Sequence, residues 1–227
     1  KTNDIFFSIQ GNKLKGNNYI KDAIKNGSKI IISNLNFEGF NKEKILFIKN
    51  KNPRKELAEA ASNFYTKKPK NMIAITGTNG KTSIANFFYQ ILSLSKKKAA
   101  AIGTLGVLSK KIKLKTNNTT IDSLKIHHIL QKLKSLKVDN VIIEASSHGL
   151  KQHRLDGLNL KTALFTNLTR DHLDYHKTFK DYLNSKLILF NRLLLNKGNI
   201  IFENGISQEK KLKKISKKKE IEDSQNR

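Results

Sequence analysis

Hydrophobic positions along the chain alternate between the period of a strand and the period of a helix, and this pattern divides the chain into two segments. In the first segment, short apolar runs predict strands, and spaced apolar residues predict helices. The predicted elements there are strand 4–10, helix 18–26, strand 29–33, strand 44–49 and helix 53–66. The polar stretch Lys67-Lys68-Pro69-Lys70 is interpreted as a linker. We therefore predict one domain over residues 1–68 and a second over residues 69–227.

The second segment shows a regular alternation of strand and helix patterns. The predicted elements are strand 72–76, helix 81–94, strand 99–104, helix 123–136, strand 139–145, strand 162–167, helix 178–195 and strand 199–203. Residues 105–120 are predicted to form a hairpin or an irregular excursion. Such an alternation favours an α/β fold with a mainly parallel sheet and helices on both faces.

Both ends of the chain are interpreted as truncated. The chain begins at Lys1, almost directly in a strand pattern, and its last 18 residues, from Lys210, are polar and highly charged. We interpret this tail as a disordered or severed end. Because an incomplete parallel sheet leaves an uncovered edge, we expect the isolated chain to be marginally stable and catalytically inactive.

The most informative stretch is M-I-A-I-T-G-T-N-G-K-T-S at residues 72–83, where a predicted strand enters a glycine-containing turn and a helix pattern follows. Glycines allow backbone N–H groups to converge on phosphate oxygens, and the helix N-terminus adds positive potential. Lys81 adds a point charge, and the Thr82 hydroxyl can bind Mg²⁺, as in phosphate-binding loops. The usual first glycine of such a loop falls at Ile75 rather than Gly77, so a plain connecting turn is the alternative.

Two predicted strands end in chemically active residues, at the edge where open α/β sheets bind ligands. Glu144 follows a buried strand, where a carboxylate near a phosphate loop suits a Mg²⁺ ligand; a solvated carboxylate is the alternative. The strand predicted at 162–167 runs into Thr169-Arg170-Asp171-His172-Leu173-Asp174-Tyr175-His176. The concentration of acids, imidazoles and an arginine in this stretch indicates a functional segment.

Lys186 lies on the apolar face of the helix predicted at 178–195. The other members of that face are Phe179, Tyr182, Leu183, Leu187 and Phe190. One interpretation is snorkelling, with the ammonium in water. The other is a partly desolvated amine, whose lowered pKa raises the neutral fraction. A neutral amine can react with CO₂ to give a carbamate, whose oxygens are good Mg²⁺ ligands.

The composition of the 227-residue chain narrows the function classes. The absence of cysteine excludes disulfides and Cys-based metal sites and is compatible with a cytoplasmic protein. There is no run of 18 apolar residues, so no transmembrane helix is predicted. The formal charge of +26 could attract polyanions. We interpret it instead as a compositional bias, because the lysines are spread over nearly every predicted element, and we expect neither a nucleic-acid nor a membrane partner.

Five segments resemble the Mur ligases in order and approximate spacing. They are T-G-T-N-G-K-T (76–82), N-T-T (118–120), E-A-S-S-H-G-L-K-Q-H-R (144–154), N-L-T-R-D-H-L-D-Y-H (167–176) and S-K-L-I-L-F (185–190). Residues 4–28 are also similar to the uridine-nucleotide-binding domain of this family. The likeness is strongest to the branch that adds the third amino acid to UDP-N-acetylmuramoyl-dipeptide in peptidoglycan synthesis. The resemblance implies an ATP-dependent amide-bond ligase that works through an acyl phosphate.

The resemblance also implies roles for individual residues. The catalytic residues would be Lys81, Glu144, His172 and Lys186. ATP would be bound by Gly77, Thr78, Asn79, Gly80, Lys81, Thr82 and Ser83. One Mg²⁺ would be bound by Thr82 and Glu144, and a second by His172 and carbamylated Lys186. The UDP-muramoyl-dipeptide would be bound by Asn12, Lys13, Leu14, Asn118, Thr119, Thr120, Ser146, Gln152 and Arg154.

Several alternatives stay open at the level of sequence. The third amino acid could be diaminopimelate or lysine, and we expect a cytoplasmic monomer. The D-glutamate-adding ligase and folylpolyglutamate synthase share the phosphate loop but are not expected to share the S-S-H-G-L…Q-H-R segment. A P-loop nucleotide-binding module without ligase activity is the competing functional class, and a nucleic-acid-binding protein is the third.

Overall fold

A computed structural model of the protein describes residues 4–11 and 14–225, and it contains two compact units that divide after Ala60. The division falls inside a helix that runs from Pro53 to Phe64. The domain boundary placed after residue 68 therefore stays a prediction. Among the described residues, no helix combines the length and the apolar composition needed to cross a membrane.

The first unit is a small α/β layer. Its elements are β1 (Ile5–Phe7), a 3₁₀ turn (Gly16–Tyr19), α1 (Ile20–Lys25), β2 (Ile30–Ser33), β3 (Gly39–Phe40), β4 (Leu46–Lys49) and the start of α2 (Pro53–Phe64). The strand order is β1-β2-β4-β3, and only β3 is antiparallel to its neighbour. The predicted strands and helices are confirmed with shorter bounds. The strand β3 was not predicted, because two residues are too few to show an alternation of apolar and polar positions.

The second unit is built on a seven-stranded sheet. Its strands are β5 (Asn71–Thr76), β6 (Ala99–Gly103), β7 (Gly106–Ser109), β8 (Lys113–Leu114), β9 (Asn140–Glu144), β10 (Leu160–Phe165) and β11 (Leu194–Phe202). Their order is β11-β10-β5-β9-β6-β7-β8. The pairings β6–β7 and β7–β8 are antiparallel, and the other four pairings are parallel. The predicted α/β class and the hairpin within 105–120 are both confirmed.

Helices cover both faces of this sheet. They are α3 (Lys81–Leu94), α4 (Ser123–Ser135), α5 (Ser147–Lys151), α6 (Leu173–His176), α7 (Phe179–Ile188), a π-helical turn (Leu189–Leu193) and α8 (Glu209–Gln225). On one face, α3 packs through Ala85 against Ile75 and Ile142. On the other, the larger core includes Leu130 of α4 and Leu183 of α7. Parallel strands covered on both faces explain the long apolar runs of β5 and β9.

Two predictions about the end of the chain are wrong. The helix predicted to reach residue 195 continues past Ile188 as a π-helical turn and ends at Leu193, and the predicted strand 199–203 already begins at Leu194. The described part of the tail, residues 210–225, is helical rather than disordered, and α8 packs against β11 with Leu212 fully buried. The polar composition of this segment gave no sign of the packing, because only a few of its positions are apolar. Lys219 adds a polar contact, since its Nζ donates to the Leu194 carbonyl at 2.7 Å.

Candidate active site

The loop between β5 and α3 has a backbone that only glycine adopts easily. Gly77 has φ +146° and Gly80, at the N-cap of α3, has φ +85°. A Cβ on Gly77 would lie 1.8 Å from the Thr166 hydroxyl oxygen, so a side chain there would collide with the next strand end. The strand, loop and helix predicted for residues 72–94 are confirmed. Asn79, Gly80 and Ser83 lie exposed at the start of α3.

The segment that follows β10 stabilises this loop through hydrogen bonds. The Thr78 amide donates to the Asn167 carbonyl at 3.0 Å, and the Asn79 amide donates to Asn167 Oδ1 at 2.9 Å. Thr166 Oγ1 donates to the Asn79 carbonyl at 2.7 Å. Sequence reasoning assigned no role to Asn167. Its position directly after an apolar strand, beside a phosphate loop, was the available signal.

Lys81 is folded back over the loop. Its Nζ donates to the Gly77 carbonyl at 2.9 Å and to the Thr78 carbonyl at 2.7 Å. Burial lowers its pKa, while the charges of Glu144 and Asp171 act in the opposite direction. The ammonium therefore lies at the mouth of the loop, where an anion could take over its two hydrogen bonds.

Glu144 lies at the end of β9 and faces the first turn of α3. Its carboxylate accepts from Thr82 Oγ1 at 2.8 Å, from the Thr104 amide at 2.9 Å and from Thr104 Oγ1 at 3.2 Å. It is only 2% exposed, so the alternative of a solvated carboxylate is wrong. A Cβ on Gly103, at the neighbouring strand end, would lie 2.0 Å from Glu144 Oε1, so a side chain there would displace the carboxylate. Sequence reasoning missed Gly103 and Thr104.

Thr119, Thr120 and Ser146 lie around the end of β9. Thr119 Oγ1 contacts Thr104 Oγ1 at 3.0 Å. Thr120 is buried, donates from Oγ1 to the Glu144 carbonyl at 2.8 Å and accepts from the Ser146 amide at 2.9 Å. Ser146 caps α5, because its hydroxyl accepts from the Gly149 amide at 3.1 Å. These hydrogen bonds hold the ends of β9 and of the 115–120 segment together.

Three hydrogen bonds to two groups orient the Arg154 guanidinium. Its Nε and Nη2 donate to Gln152 Oε1 at 3.2 and 2.8 Å, and its Nη1 donates to the Thr120 carbonyl. The Gln152 amide in turn donates to the Tyr175 hydroxyl at 3.3 Å. The structure therefore joins Thr120 to Gln152 and Arg154, which lie more than thirty positions later in the sequence.

An aromatic and imidazole cluster stands between α5 and α7. The His148 ring packs against the Tyr175 ring at a tilt of 33°, with centroids 3.9 Å apart, and meets the His172 ring edge-on at 5.0 Å. His176 is fully buried, and its Nε2 lies 2.9 Å from Ser147 Oγ. Desolvation lowers the pKa of both His148 and His176, and neighbouring positive charges act in the same direction, whereas Asp174 opposes the shift at His148 and Asp181 opposes it at His176. His172 is exposed and has φ +52°.

Lys186 is 1% exposed, so the snorkelling interpretation is wrong. Its Nζ donates to the Gly77 carbonyl at 2.7 Å and lies 4.4 Å from the centroid of the Tyr182 ring. Burial is the first cause that lowers its pKa to about 7, the charge of Lys81 is the second, and Asp171 opposes both. A large fraction of this amine is therefore neutral near pH 7.

The remaining predicted residues lie apart from this set or outside the described chain. Asn118 is exposed and borders a cavity of about 250 Å³ beside the start of α4. Leu14 belongs to the first unit and is exposed. Asn12 and Lys13 lie outside the described residues. Within residues 4–11 and 14–225, no group of three or more His, Asp or Glu side chains is placed to bind a metal ion.

A known protein family matches most of this chain. The Mur ligase middle domain family matches residues 75–225. The UDP-N-acetylmuramoyl-L-alanyl-D-glutamate–2,6-diaminopimelate ligase of Clostridium tetani is 42% identical over 96% of this chain and 45% of its own length. The ligase of the same name from Rickettsia montanensis is 41% identical over 92% of this chain and 44% of its own length. The chain thus spans a little under half the length of these relatives.

Solved structures extend the comparison to the fold. A structure with the same ligase name superposes with a TM-score of 0.81 at 27% identity, over 96% of this chain and 44% of that one. The MurF ligase of Thermotoga maritima in complex with ADP superposes with a TM-score of 0.60 at 15% identity, over 95% and 46%, and shows the fold alone. The family match covers about two thirds of the chain. The chain belongs to the Mur ligase family.

Proposed function

We propose that this chain forms the nucleotide- and precursor-binding part of an ATP-dependent ligase that adds the third amino acid to UDP-N-acetylmuramoyl-L-alanyl-D-glutamate. The observation that carries the proposal is the position of Glu144. Its side chain meets Thr82 of the phosphate loop, and its backbone meets Thr120, which Arg154 also contacts. One strand end therefore adjoins both the proposed ATP site and the proposed precursor site.

The donor set around Glu144 fits a magnesium ion. The carboxylate and the Thr82 hydroxyl are oxygen donors that already lie 2.8 Å apart at the N-terminus of α3, and Mg²⁺ prefers oxygen ligands. When bound, the ion would neutralise phosphate charge. A second ion on His172 and a carbamate of Lys186 is also proposed. The support for it is the buried amine, because its pKa of about 7 supplies the neutral form that carbamylation requires.

The side chains of this site can stabilise phosphoryl transfer and position its acceptor. The terminal carboxylate of the dipeptide attacks the γ-phosphorus of ATP, and ADP leaves, giving an acyl phosphate. The incoming amino group then attacks the acyl carbon and releases phosphate. Lys81 and the amides at the start of α3 stabilise the charge on the transferred group. Arg154, oriented by Gln152, holds the anionic precursor in line.

Diaminopimelate is the third amino acid that we propose. The support is the name of the relatives from Clostridium tetani and Rickettsia montanensis, both of which are more than 40% identical to this chain. Lysine is the other candidate from the sequence. We further propose that the protein acts in the cytoplasm as a monomer.

A chimera tests the proposal directly. In it, this chain replaces the matching region of the Clostridium tetani ligase, and phosphate release from ATP is measured with each substrate omitted in turn. We expect release to require both UDP-muramoyl-dipeptide and diaminopimelate, and tripeptide to accumulate. Release that does not require the dipeptide would favour a P-loop module without ligase activity.

A further inference from the structure

Helix α7 contacts the phosphate loop through two residues that are one helical turn apart. Lys186 Nζ donates to the Gly77 carbonyl at 2.7 Å, and the Tyr182 hydroxyl lies 3.2 Å from Thr78 Oγ1. Two consecutive loop residues, Gly77 and Thr78, are thus contacted by side chains from consecutive turns of one helix. We propose that Tyr182 is a positioning residue: through the Thr78 hydroxyl it fixes the phosphate loop to α7 and so couples nucleotide binding to the placement of Lys186. This rests on the proposed function for the identity of the nucleotide.

The hydrogen bonds of Thr78 define the direction of this contact. Thr78 Oγ1 lies 3.3 Å from the Thr169 carbonyl, which can only accept, and it accepts from the Thr169 amide at 3.0 Å. A threonine hydroxyl has one proton. When that proton goes to the Thr169 carbonyl, the Tyr182 hydroxyl is the donor to Thr78. The Thr78 hydroxyl is therefore engaged by both Thr169 and Tyr182.

Because Tyr182 is buried, its hydroxyl needs a hydrogen-bond partner inside the protein. Tyr182, on α7, is 0% exposed. A buried hydroxyl without a partner is costly, and Thr78 supplies the partner. Desolvation also raises the pKa of Tyr182, which keeps the phenol protonated as a donor. The same ring contacts the Lys186 ammonium at 4.4 Å and the His176 ring at 5.1 Å.

The contacts of Thr78 and Gly77 with α7 connect the phosphate loop to Lys186. Thr78 lies between Gly77, whose carbonyl accepts from Lys186, and Asn79, whose amide is held by Asn167. A shift of the loop on nucleotide binding must move Thr78 relative to Tyr182 or carry α7 with it. Because α7 also presents Lys186, the Tyr182 hydroxyl links occupancy of the loop to the position of that amine.

A double-mutant cycle on this 227-residue chain tests the coupling. The variants are Tyr182→Phe, Thr78→Val and the double variant, with ADP plus Mg²⁺ as the calorimetric probe. We expect each single change to weaken ADP binding by about fivefold, as the loss of one hydrogen bond predicts, and the double variant to lose no more than either single one. Tyr89→Phe removes a tyrosine hydroxyl elsewhere, on α3, and serves as the control. Thr78→Ser, which keeps the hydroxyl, should recover part of the affinity lost in Thr78→Val.

Two outcomes would overturn the proposal. One is an unchanged ADP affinity in Tyr182→Phe together with a lower melting temperature, which is what a purely structural tyrosine predicts. The other is additive losses in the double variant. If the unaltered chain binds no ADP, the proposed nucleotide site fails, and amide hydrogen exchange without ligand still tests the contact. Exchange of the Thr169 amide should then accelerate in Tyr182→Phe, and unchanged exchange would refute the link.

Discussion

Replacing Lys186 with methionine is expected to raise the free energy of unfolding of the unliganded protein near neutral pH. Lys186 is 1% exposed, and its pKa falls from 10.5 to about 7, first through burial and then through the charge of Lys81. Methionine has a similar length and flexibility without the charge. The Gly77 carbonyl is not left unpaired by this change, because Lys81 Nζ also donates to it at 2.9 Å.

The pKa shift sets the size and the pH dependence of the effect. A fall from 10.5 to about 7 corresponds to roughly 4–5 kcal/mol as an upper limit, at about 1.4 kcal/mol per unit. Losing the hydrogen bond to Gly77 costs about 1 kcal/mol, so we expect a net gain of about 1–3 kcal/mol at pH 7. Between pH 7 and 10.5 the unfolded chain binds a proton at Lys186 that the folded chain does not. Lys186 therefore makes the free energy of unfolding rise with pH across that window. Below pH 7 the buried ammonium destabilises the folded state by its full amount.

Urea unfolding at pH 6.5, 8.0 and 9.5 measures this difference. The matched control is Lys180→Met, which removes an exposed lysine from the same helix. We expect Lys186→Met to be more stable than the unaltered chain at pH 6.5 and the advantage to shrink as pH rises, whereas Lys180→Met should show neither effect. A Lys186→Met variant that is less stable at pH 6.5, with the same pH slope as the unaltered chain, would refute the reasoning.

Further changes test other parts of the site. Lys81→Ala should weaken ADP binding at least about tenfold by calorimetry, because a charge-assisted contact to phosphate is lost; unchanged affinity would contradict the phosphate-loop assignment. In the chimeric ligase, Lys186→Arg should be inactive, since a guanidinium stays cationic and cannot be carbamylated; an active variant would rule out the metal-ligand role. Lys186→Ala should be nearly inactive too, with partial recovery on adding small carboxylic acids. Gly103→Ala should destabilise the fold by about 1–3 kcal/mol in urea unfolding, because its Cβ would lie 2.0 Å from Glu144 Oε1; full stability would show that the carboxylate can move away.

The sequence predicted the phosphate loop and the helix after it without help from the rest of the fold. Helix α3 runs from Lys81 to Leu94, as its apolar period indicated. The information is local, because glycine conformations, the helix N-terminus and a 3.6-residue period are all properties of adjacent residues. For the same reason, the parallel α/β class followed from the alternation of elements.

Short and irregular elements escaped prediction. Helices α5 and α6 contain five and four residues, too few for a periodic signal. Helix α8 is mostly lysine and glutamate, so its composition indicated disorder, yet buried Leu212 anchors it to the sheet. In each case tertiary packing outweighs local preference, since a few buried contacts contribute more than propensity does.

The state of the functional groups was decided by tertiary structure alone. Sequence periodicity placed Lys186 on an apolar helix face but left open whether its amine reaches water; the fold buries it against Gly77, 109 positions away. Glu144 was recognised at a strand end, yet its partners Thr82 and Thr104 come from two other elements. Local sequence determines which residue types stand at the ends of strands and helices. Desolvation and hydrogen-bond partners depend on which ends the sheet brings together, because both act through space and not along the chain.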